Sequence, residues 1–597
     1  MPPATLNELF FTAANDASRH VVMRHKVDGT WHEIQRVDFL ARVRHTNAAL
    51  RELGFAAGDR VAILSENRPE WAIADYACLT ARLVDVSIYP SLPAHQIAYI
   101  LQDSGSRGIF VSNRGQLDKV LAIRAQLPGL QHVISFDHGP LPDGVLSLHE
   151  LETRGASAVG RSANWEAEAL AARPEDLATL IYTSGTTGDP KGVMLTHGNV
   201  TSNINSALQL LTIGTSDACL SFLPLCHIFE RMVGHFLMFC AGSVINYATN
   251  GDTVPVELKE VRPTLLASVP RLYEKIYARV LQGMTSHSGL TRAVFEWARA
   301  TGETRLEYRL AKRRVPIGLA LGFALADLMV FRKIRGIMGG RIRFMVSGGA
   351  PLGQDICRFF LAAGLPVLEG YGLTETSPVI SVNTFAMLKP GTVGRPIPGV
   401  EVKIGGDGEI LTRGPHVMQG YYNKPEATAE AIDPEGWFHT GDIGLLDNDG
   451  CLRITDRKKD LIVTAGGKNI APQPIEGMLK TNRFITNAVM LGDKRKFPIM
   501  ILVPNFYTLG TWLTVKRLPS GSPDELITMP EVRDKLEREA RKSLRDLAQF
   551  ETPKKFLILA RDFSIESGEL TPTLKVKRRV VEDNYREMIE ALYAEPA

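Results

Sequence analysis

The chain has 597 residues, which is too long for one ordinary hydrophobic core and predicts at least two domains. Hydrophobic residues make up 45% and charged residues 22%, so the composition is that of a globular protein. The formal net charge of +3 excludes the strong basic excess of a dedicated nucleic-acid binder, and no nucleic-acid partner is expected.

The cysteines form no recognisable metal or redox motif, because no C-x-x-C pair occurs among the six. A reducing compartment is the simplest expectation for such a chain. The first residues, MPPATLNE, lack a basic region followed by an apolar one, so no secretory signal is predicted. Together these features predict a cytoplasmic protein. The cysteines are Cys78, Cys219, Cys226, Cys240, Cys357 and Cys451.

In the first third of the chain, short β-branched runs alternate with helical patterns. The runs at 60–64, 84–89 and 108–111 predict strands, and the segments 69–81 and 93–102 predict helices. Both helical segments begin with proline, which suits the first turn of a helix. Strands that alternate with helices indicate a mostly parallel sheet covered by helices.

A loop rich in glycine and hydroxyl residues follows a predicted buried strand at 180–182. Positions 183–192 (TSGTTGDPKG) contain three glycines, four hydroxyl residues and one lysine, which suits a loop that wraps phosphates. It is not a Walker A loop, because Lys191 follows a proline and precedes a glycine. Composition alone leaves a solvated turn equally open.

The most apolar segment is 315–331, with the sequence VPIGLALGFALADLMVF. It is shorter than a typical membrane-spanning helix and carries Pro316 and Asp327, so spanning is not expected. The pattern favours a buried helical insertion. Peripheral contact with an anionic bilayer is the alternative, because basic residues flank the segment on both sides. These residues are Lys312, Arg313, Arg314, Arg332, Lys333 and Arg335.

The strand–helix alternation returns near the middle of the chain, with a strand at 342–347, a helix at 352–363 and a strand at 366–369. After about residue 456 the segments become shorter and more charged. We therefore predict a large domain at 1–456 and a smaller one at 457–597, which is a normal domain size.

The loop belongs to a series of motifs that occur in a fixed order. The run 182–192 (YTSGTTGDPKG) resembles the signature of the adenylate-forming superfamily, which includes acyl-CoA synthetases, luciferases and nonribosomal-peptide adenylation domains. Four further motifs of that superfamily follow in its order: 369–376 (EGYGLTET), 436–442 (GWFHTGD), 456–461 (DRKKDL) and 574–579 (LKVKRR). The resemblance covers nearly the whole chain. It implies an α/β fold, with helix-covered, mostly parallel sheets in a large N-terminal domain and a small mobile α+β C-terminal domain.

The resemblance implies an ATP site with Mg²⁺. It assigns Glu375 to Mg²⁺, Thr374 to phosphate contact, and Asp442 to the ribose, with Arg457 as its neighbour. Gly349, Ala350 and Tyr371 are expected to form the adenine wall. The nucleotide-binding residues expected in full are Thr183, Ser184, Gly185, Thr186, Thr187, Gly188, Lys191, Gly349, Ala350, Tyr371, Gly372, Thr374, Asp442, Arg457 and Lys575.

The same resemblance assigns the chemistry to Lys575, which would neutralise charge that develops on the α-phosphate. Leu574 stands where the family has glycine, so Lys577 stays open as an alternative. Thr183 and His227 are the other expected catalytic residues, and His227 would border the acyl pocket.

The resemblance also assigns residues to the movement of the C-terminal domain and to the binding of coenzyme A. The resemblance implies that Lys459 is the hinge and that Gly466 and Gly467 line the path of the coenzyme A thiol. Arg271 is expected beside the acyl site together with His227.

The segments 222–246 and 285–335 look most like those of long-chain fatty acyl-CoA synthetases. The predicted reaction joins a fatty acid to coenzyme A with ATP, through an acyl-adenylate. A fatty acyl-AMP ligase that delivers to a carrier protein is the main alternative. The preferred chain length and the oligomeric state are left open.

Overall fold

A computed structural model describes residues 2–159, 164–183, 189–285, 289–465, 468–564, 566–571 and 576–594. In chain order its strands are β1 (Val21–Val27), β2 (Thr30–Gln35), β3 (Arg60–Leu64), β4 (Val84–Ile88), β5 (Gly108–Val111), β6 (His132–Ser135), β7 (Val145–Ser147), β8 (Leu177–Thr183), β9 (Lys191–Thr196), β10 (Ala218–Ser221), β11 (Val244–Tyr247), β12 (Leu265–Ser268), β13 (Phe344–Ser347), β14 (Val367–Tyr371), β15 (Ser381–Val382), β16 (Arg395–Pro396), β17 (Glu401–Ile404), β18 (Glu409–Arg413), β19 (Gly420–Tyr421), β20 (Phe438–Leu446), β21 (Leu452–Arg457), β22 (Ile462–Val463), β23 (Asn469–Ile470), β24 (Ile485–Leu491), β25 (Ile499–Pro504) and β26 (Lys555–Ile558).

The helices are α1 (Leu6–Ala14), α2 (Arg36–Glu52), α3 (Pro69–Thr80), α4 (Ala94–Ser104), α5 (Arg114–Ile123), α6 (Leu148–Ala158), α7 (Trp165–Leu170), α8 (His197–Leu210), α9 (Met238–Cys240), α10 (Val254–Val261), α11 (Pro270–Thr285), α12 (Gly289–Leu310), α13 (Ile317–Ala326), α14 (Arg332–Ile337), α15 (Gln354–Ala362), α16 (Pro425–Ala431), α17 (Pro472–Lys480), α18 (Phe506–Lys516), α19 (Pro523–Thr528), α20 (Pro530–Ser543), α21 (Arg578–Asn584) and α22 (Arg586–Ala594). Glu230–Leu237 and Asp327–Phe331 are π-helical, and Arg124–Gln126 and Thr374–Thr376 are 3₁₀ turns.

Two large sheets form the framework of the N-terminal part. The first has the order β19-β9-β8-β4-β3-β5-β6-β7, and its strands from β8 through β7 are parallel. The second has the order β16-β15-β14-β13-β12-β10-β11-β1-β2 and is parallel from β14 through β1. The predicted α/β fold class is confirmed.

Helix α3 shows how the two sheets are joined. It contacts β3 and β4 of the first sheet and β1 of the second, and every residue in it except Glu70 is buried. A helix that is apolar on all sides is expected inside a core. Its one buried charge, Asp75, is paired with Arg231 of the π-helical segment Glu230–Leu237.

A smaller antiparallel sheet, β17-β18-β20-β21, follows the second large sheet in the chain. Beyond it, β24 pairs antiparallel with β25, and β25 pairs parallel with β26. Helices α17, α18 and α20 pack on this three-stranded sheet through a core of their own, formed by residues such as Leu479, Leu509 and Leu536. The boundary at 456/457 stays a prediction.

The prediction of a buried insertion at 315–331 is wrong. The segment forms α13 and the following π-helical turn, and only some of its residues, such as Ala326 and Phe331, are buried. The physical reason is that the helix packs on α12 along one face only, while its opposite face is as apolar as the packed one. Within the described part of the chain, no helix combines the length and the apolar character needed to cross a bilayer.

Candidate functional site

The predicted ribose-binding residue, Asp442, lies at a junction of three strands. It stands within β20, and its register partner on β21 is Arg457. Arg457 Nε donates to Oδ1 of Asp442 at 2.9 Å, and the hydroxyl of Tyr371, at the end of β14, donates to Oδ2 at 2.7 Å. The structure therefore brings together three of the predicted nucleotide-binding residues.

Both donors hold their protons firmly at neutral pH. Burial raises the pKa of the Tyr371 hydroxyl, and the neighbouring Asp442 raises it further. For Arg457, burial alone would lower the pKa, but Asp442 more than offsets this and the pKa is raised. A carboxylate offers about four acceptor positions. Asp442 can therefore accept further hydrogen bonds, for example from two vicinal hydroxyls.

Glu375 lies on the 3₁₀ turn that follows β14 and is held by Tyr421 of β19. The Tyr421 hydroxyl donates to Glu375 Oε1 at 2.9 Å. The ammonium nitrogen of Lys191 lies 4.9 Å from the centre of the Tyr421 ring, a cation–π arrangement. One tyrosine thus contacts both the predicted metal ligand and the lysine near the end of the glycine-rich loop.

Tyr421 is a residue of the site that the sequence did not predict. The only signal in the chain is an aromatic pair, Tyr421 and Tyr422, directly after Gly420. Nothing in that pair indicates which ring faces Glu375; the pairing of β19 with β9 decides it, since Tyr421 is the register partner of Val193.

The base of the glycine-rich loop is a hairpin. Thr183 ends β8 and is the register partner of Lys191, which begins β9. The loop residues predicted to hold phosphates, Ser184 to Gly188, lie outside the described residues. Because Thr183 and Lys191 are paired, the two ends of the loop lie on the neighbouring strands β8 and β9.

The predicted adenine wall occupies the carboxyl ends of neighbouring parallel strands. Gly349 and Ala350 follow β13, and Tyr371 ends β14, which pairs with β13. Gly349 has a φ of +80°, a left-handed conformation that favours glycine. At Gly372 a Cβ would overlap the carbonyl oxygen of Pro378, so no side chain fits there. Ligands of open α/β sheets bind at this edge.

Thr374 is buried in the 3₁₀ turn beside Glu375, so both predicted contacts to MgATP lie on one turn after β14. Within the residues described, no group of three or more His, Cys, Asp and Glu side chains could hold a metal ion. Glu375 fits Mg²⁺ as a single carboxylate ligand, because Mg²⁺ in nucleotide sites takes most of its oxygens from phosphates and water.

His227 lies two residues before Phe229, whose ring contacts the loop that carries Gly349. It precedes the π-helical segment, and its Nδ1 accepts the backbone N–H of Phe229 at 3.1 Å. The Phe229 ring in turn packs closely over Gly348. The predicted acyl-site histidine is therefore placed beside the loop that carries Gly349.

Arg271 is not part of the nucleotide cluster. It lies near the start of α11, and its Nη1 donates to the carbonyl oxygen of Thr486 in β24 at 3.1 Å. This contact links the N-terminal part to the C-terminal sheet.

Lys459, the predicted hinge, is exposed in the turn that follows β21. The neighbouring Lys458 reaches back to Asp407 and Glu409 at 2.6 and 2.9 Å. Burial raises the pKa of Asp456, at the other side of the turn, to about 7.

Lys575, Gly466 and Gly467 lie outside the described residues. The alternative lysine, Lys577, lies just before α21, and its backbone N–H donates to the carbonyl oxygen of Glu569 at 2.8 Å.

Two family models match the chain. The model described as AMP-binding enzyme matches residues 10–422, and the model described as AMP-binding enzyme C-terminal domain matches residues 459–597. The first alone covers more than half of the chain. The chain belongs to the AMP-binding enzyme family. The predicted membership of the adenylate-forming superfamily is thereby confirmed.

This AMP-binding enzyme is similar to named proteins over nearly its full length. It is 36% identical to the long-chain-fatty-acid–CoA ligase FadD15 of Mycobacterium bovis, over 98% of this chain and 96% of the relative. It is 31% identical to the long-chain-fatty-acid–CoA ligase ACSBG2 of Xenopus laevis, over 99% of this chain and 84% of the relative.

Solved structures show the same fold. The anthranilate CoA ligase AuaEII in complex with anthranoyl-AMP matches with a TM-score of 0.74 at 19% identity, over 99% of both chains. The adenylation domain of a carboxylate reductase from Mycobacterium chelonae matches with a TM-score of 0.77 at 23% identity, over 100% of this chain and 92% of that one. At these identities the likeness concerns the fold alone.

Proposed function

We propose that this AMP-binding enzyme is a long-chain fatty acid–CoA ligase. It activates a fatty acid with ATP to an acyl-adenylate and transfers the acyl group to coenzyme A, giving acyl-CoA, AMP and pyrophosphate. The observation that carries the proposal is the similarity, along nearly the whole chain, to relatives that bear this name. The junction of Tyr371, Asp442 and Arg457 supports the nucleotide half.

Asp442 binds the ribose of ATP in this proposal. Its two oxygens already accept from Tyr371 and Arg457, which fixes the direction of their remaining lone pairs. Vicinal hydroxyls are suitable donors for such a carboxylate, as in dinucleotide sites. The adenine then lies against Tyr371, Gly349 and Ala350.

The phosphates occupy the glycine-rich loop. Thr183 and Lys191 anchor its ends, and the backbone N–H groups and hydroxyls of 184–188 donate to phosphate oxygens. Thr374 adds a hydroxyl from the other side. Glu375 supplies a carboxylate for Mg²⁺, which when bound offsets negative charge on the phosphates.

In the first half-reaction the fatty carboxylate oxygen attacks the α-phosphorus in line. A new P–O bond forms, the bond to the bridging oxygen breaks, and pyrophosphate leaves. Lys575 stabilises the charge that builds up on the α-phosphate. His227 lies beside the carboxylate and keeps it oriented toward the phosphorus.

In the second half-reaction the thiol sulfur of coenzyme A attacks the carbonyl carbon of the mixed anhydride, loses its proton and displaces AMP. Gly466 and Gly467 line the path of the thiol, and Arg271 lies beside the acyl site. The apolar tail gains roughly 0.8 kcal/mol per buried methylene, which favours long chains.

The two half-reactions need two arrangements of a large domain, 1–456, and a small one, 457–597. Lys459 is the proposed pivot, because it is exposed in a turn directly after β21. Arg457 precedes the pivot and pairs with Asp442 through the β20–β21 register. Arg457 belongs to the small domain by the 456/457 boundary but lies before the pivot. Rotation about Lys459 therefore leaves Arg457 paired with Asp442 while Lys575 leaves the cleft.

An assay of AMP release across fatty acids from short to long, with and without coenzyme A, tests the proposal. We expect acyl-CoA, detected by mass, and the highest kcat/KM for long chains. A fatty acyl-AMP ligase would form the adenylate but no acyl-CoA. That outcome would replace the proposed acceptor by a carrier protein.

Pyrophosphate exchange separates the two candidate lysines. Lys575→Ala is expected to lower the exchange rate about 10²–10³-fold, while Lys577→Ala serves as the matched control close to the wild-type rate. Near-normal exchange by Lys575→Ala would remove it from the mechanism, and loss in Lys577→Ala alone would transfer the role to Lys577.

A further inference from the structure

An uncovered apolar stripe runs along α13 and the π-helical turn after it. Ile317, Leu321, Leu325 and Leu328 are 81, 67, 51 and 62% exposed. They follow one another at spacings of four, four and three residues, so they lie on one face of the helix. Met329 extends this face and is 39% exposed. We call these five residues the α13 stripe.

The opposite face of the same helix is firmly packed. Phe323 stacks on Phe331 with ring centres 5.5 Å apart, and the guanidinium carbon of Arg305, from α12, lies 3.9 Å from the centre of the Phe323 ring. Arg335 binds both oxygens of Asp327 at 2.6 and 2.8 Å. These contacts fix the rotation of the helix about its own axis. The α13 stripe, on the opposite face, therefore points away from the protein core.

The sequence of α13, IGLALGFALA, contains no polar side chain on either face. A helix that is apolar on all sides is normally enclosed, by a core or by lipid. Within the described part of the chain, protein covers only the face with Phe323 and Ala326. The chemistry of the uncovered face therefore calls for an apolar occupant.

Exposed cations stand at both ends of the α13 stripe. Such side chains can lay their methylenes along an apolar surface and extend their charge into lipid headgroups. The one acidic residue of the segment, Asp327, is engaged by Arg335. The exposed cations are Lys312, Arg313 and Arg314 before the helix and Arg332 and Lys333 after the π-helical turn.

We propose that the α13 stripe is a membrane-docking surface that inserts into one leaflet of a bilayer containing anionic lipid, with the flanking cations at the headgroups. Charge complementarity selects lipid over a second copy of this chain, because a self-associated stripe would bring the two cationic clusters close together. The surface does not depend on the ligase activity, and it lies outside the nucleotide site.

Flotation with the full-length protein in the absence of ATP tests the proposal. Vesicles of phosphatidylcholine with about one third phosphatidylglycerol are compared with pure phosphatidylcholine vesicles. We expect at least about tenfold more bound protein with the anionic vesicles, and a decrease as salt is raised. Equal or no binding to the two vesicle types would overturn the proposal.

Variants locate the surface. Leu321→Glu/Leu325→Glu is expected to lower the bound fraction about tenfold or more, since each carboxylate must leave water and enter the apolar part of the leaflet. Val515→Glu is the matched control, because Val515 is 75% exposed on α18 in the C-terminal part. A thermal midpoint close to that of the wild type shows that the double variant is folded, as expected for exposed positions.

Light scattering of the same samples tests the alternative occupant of the α13 stripe, a second copy of this chain. If the wild type is a dimer that Leu321→Glu/Leu325→Glu converts to a monomer, and neither binds vesicles, the stripe is an interface between two copies and the membrane proposal is wrong. Wild-type binding that survives the double variant would likewise place the membrane contact elsewhere.

Discussion

Arg457 and Asp442 face each other as register partners on β21 and β20, with 2.9 Å between Nε and Oδ1. The pair joins the strand that carries the proposed ribose ligand to the strand that ends at the proposed hinge. Lys459 lies only two residues after Arg457, the last residue of β21. The pairing of β20 with β21 therefore sets both the geometry of the ribose site and the position of the pivot.

Replacing Asp442 by Asn should raise the KM for ATP about tenfold to a hundredfold. The reason is that hydrogen bonds to a charged group contribute roughly 1.5–3 kcal/mol, and the amide is a weaker acceptor that also donates. Initial rates at varied ATP measure the effect. Asp449→Asn is the matched control, since this aspartate lies in an exposed turn and pairs with Lys389. An unchanged KM in Asp442→Asn would remove the residue from the nucleotide site.

Tyr421 is predicted to position Glu375 for Mg²⁺. Tyr421→Phe removes the 2.9 Å hydrogen bond to Glu375 while it keeps the ring near Lys191. Loss of a hydrogen bond that orients a metal ligand typically costs 10- to 100-fold in metal affinity. We therefore expect about a tenfold higher Mg²⁺ concentration for half-maximal adenylation.

Tyr422→Phe makes the same chemical change one residue further along and should leave the Mg²⁺ dependence unaltered. A change in kcat for Tyr421→Phe with the same Mg²⁺ dependence as the wild type would contradict a positioning role toward the metal.

Local patterns predicted much of the fold. The strands at 60–64 and 108–111 have the predicted bounds, because short apolar runs between turn signals are strong strand signals. The helix that begins at Pro69 ends one residue earlier than predicted, at Thr80. Helix ends depend on local capping and are the least certain feature of a pattern.

What the sequence could not provide was contact between distant segments. The residues around Asp442 come from motifs that the sequence does identify, but the hydrogen bond from Tyr371 spans 71 residues. Tyr421 has no motif of its own and reaches Glu375 only through the pairing of β19 with β9. For 315–331, apolar composition indicated burial, yet composition cannot specify how many sides of a helix the rest of the protein covers.

We predict that the stability of the folded protein depends on pH through Glu230. The side chain is fully enclosed, and burial raises its pKa from 4.5 to about 8. An acid whose pKa is raised on folding stabilises the protein below its unfolded pKa, and this contribution is lost as the pH rises through the folded pKa. The loss therefore falls between about pH 4.5 and pH 8.

Glu230→Gln keeps the shape of the neutral acid without titrating. We expect its thermal midpoint, relative to the wild type, to increase from pH 5 to pH 8 and to level off above that. Glu33→Gln, at an exposed ion pair with Arg24, should show no such increase. A constant difference between Glu230→Gln and the wild type across this range would show that Glu230 does not titrate there.

Arg231 should be the most sensitive charged position for stability. Its guanidinium pairs with Asp75 of α3 and, at 2.9 Å, with Asp85 of β4, and all three side chains are fully buried. It also donates to Thr179 of β8 at 2.7 Å. One side chain thus connects the helix between the two sheets to two strands of the first sheet.

Arg231→Met would leave two carboxylates enclosed without their partner, which costs roughly 3–5 kcal/mol. Arg24→Met is the matched control, because Arg24 makes an ion pair that is 40% exposed and such pairs contribute about 0–1 kcal/mol. We expect a clear fall in thermal midpoint and soluble yield for Arg231→Met but not for Arg24→Met. Equal thermal midpoints for the two variants would show that the buried carboxylates are neutralised in another way, by taking up protons.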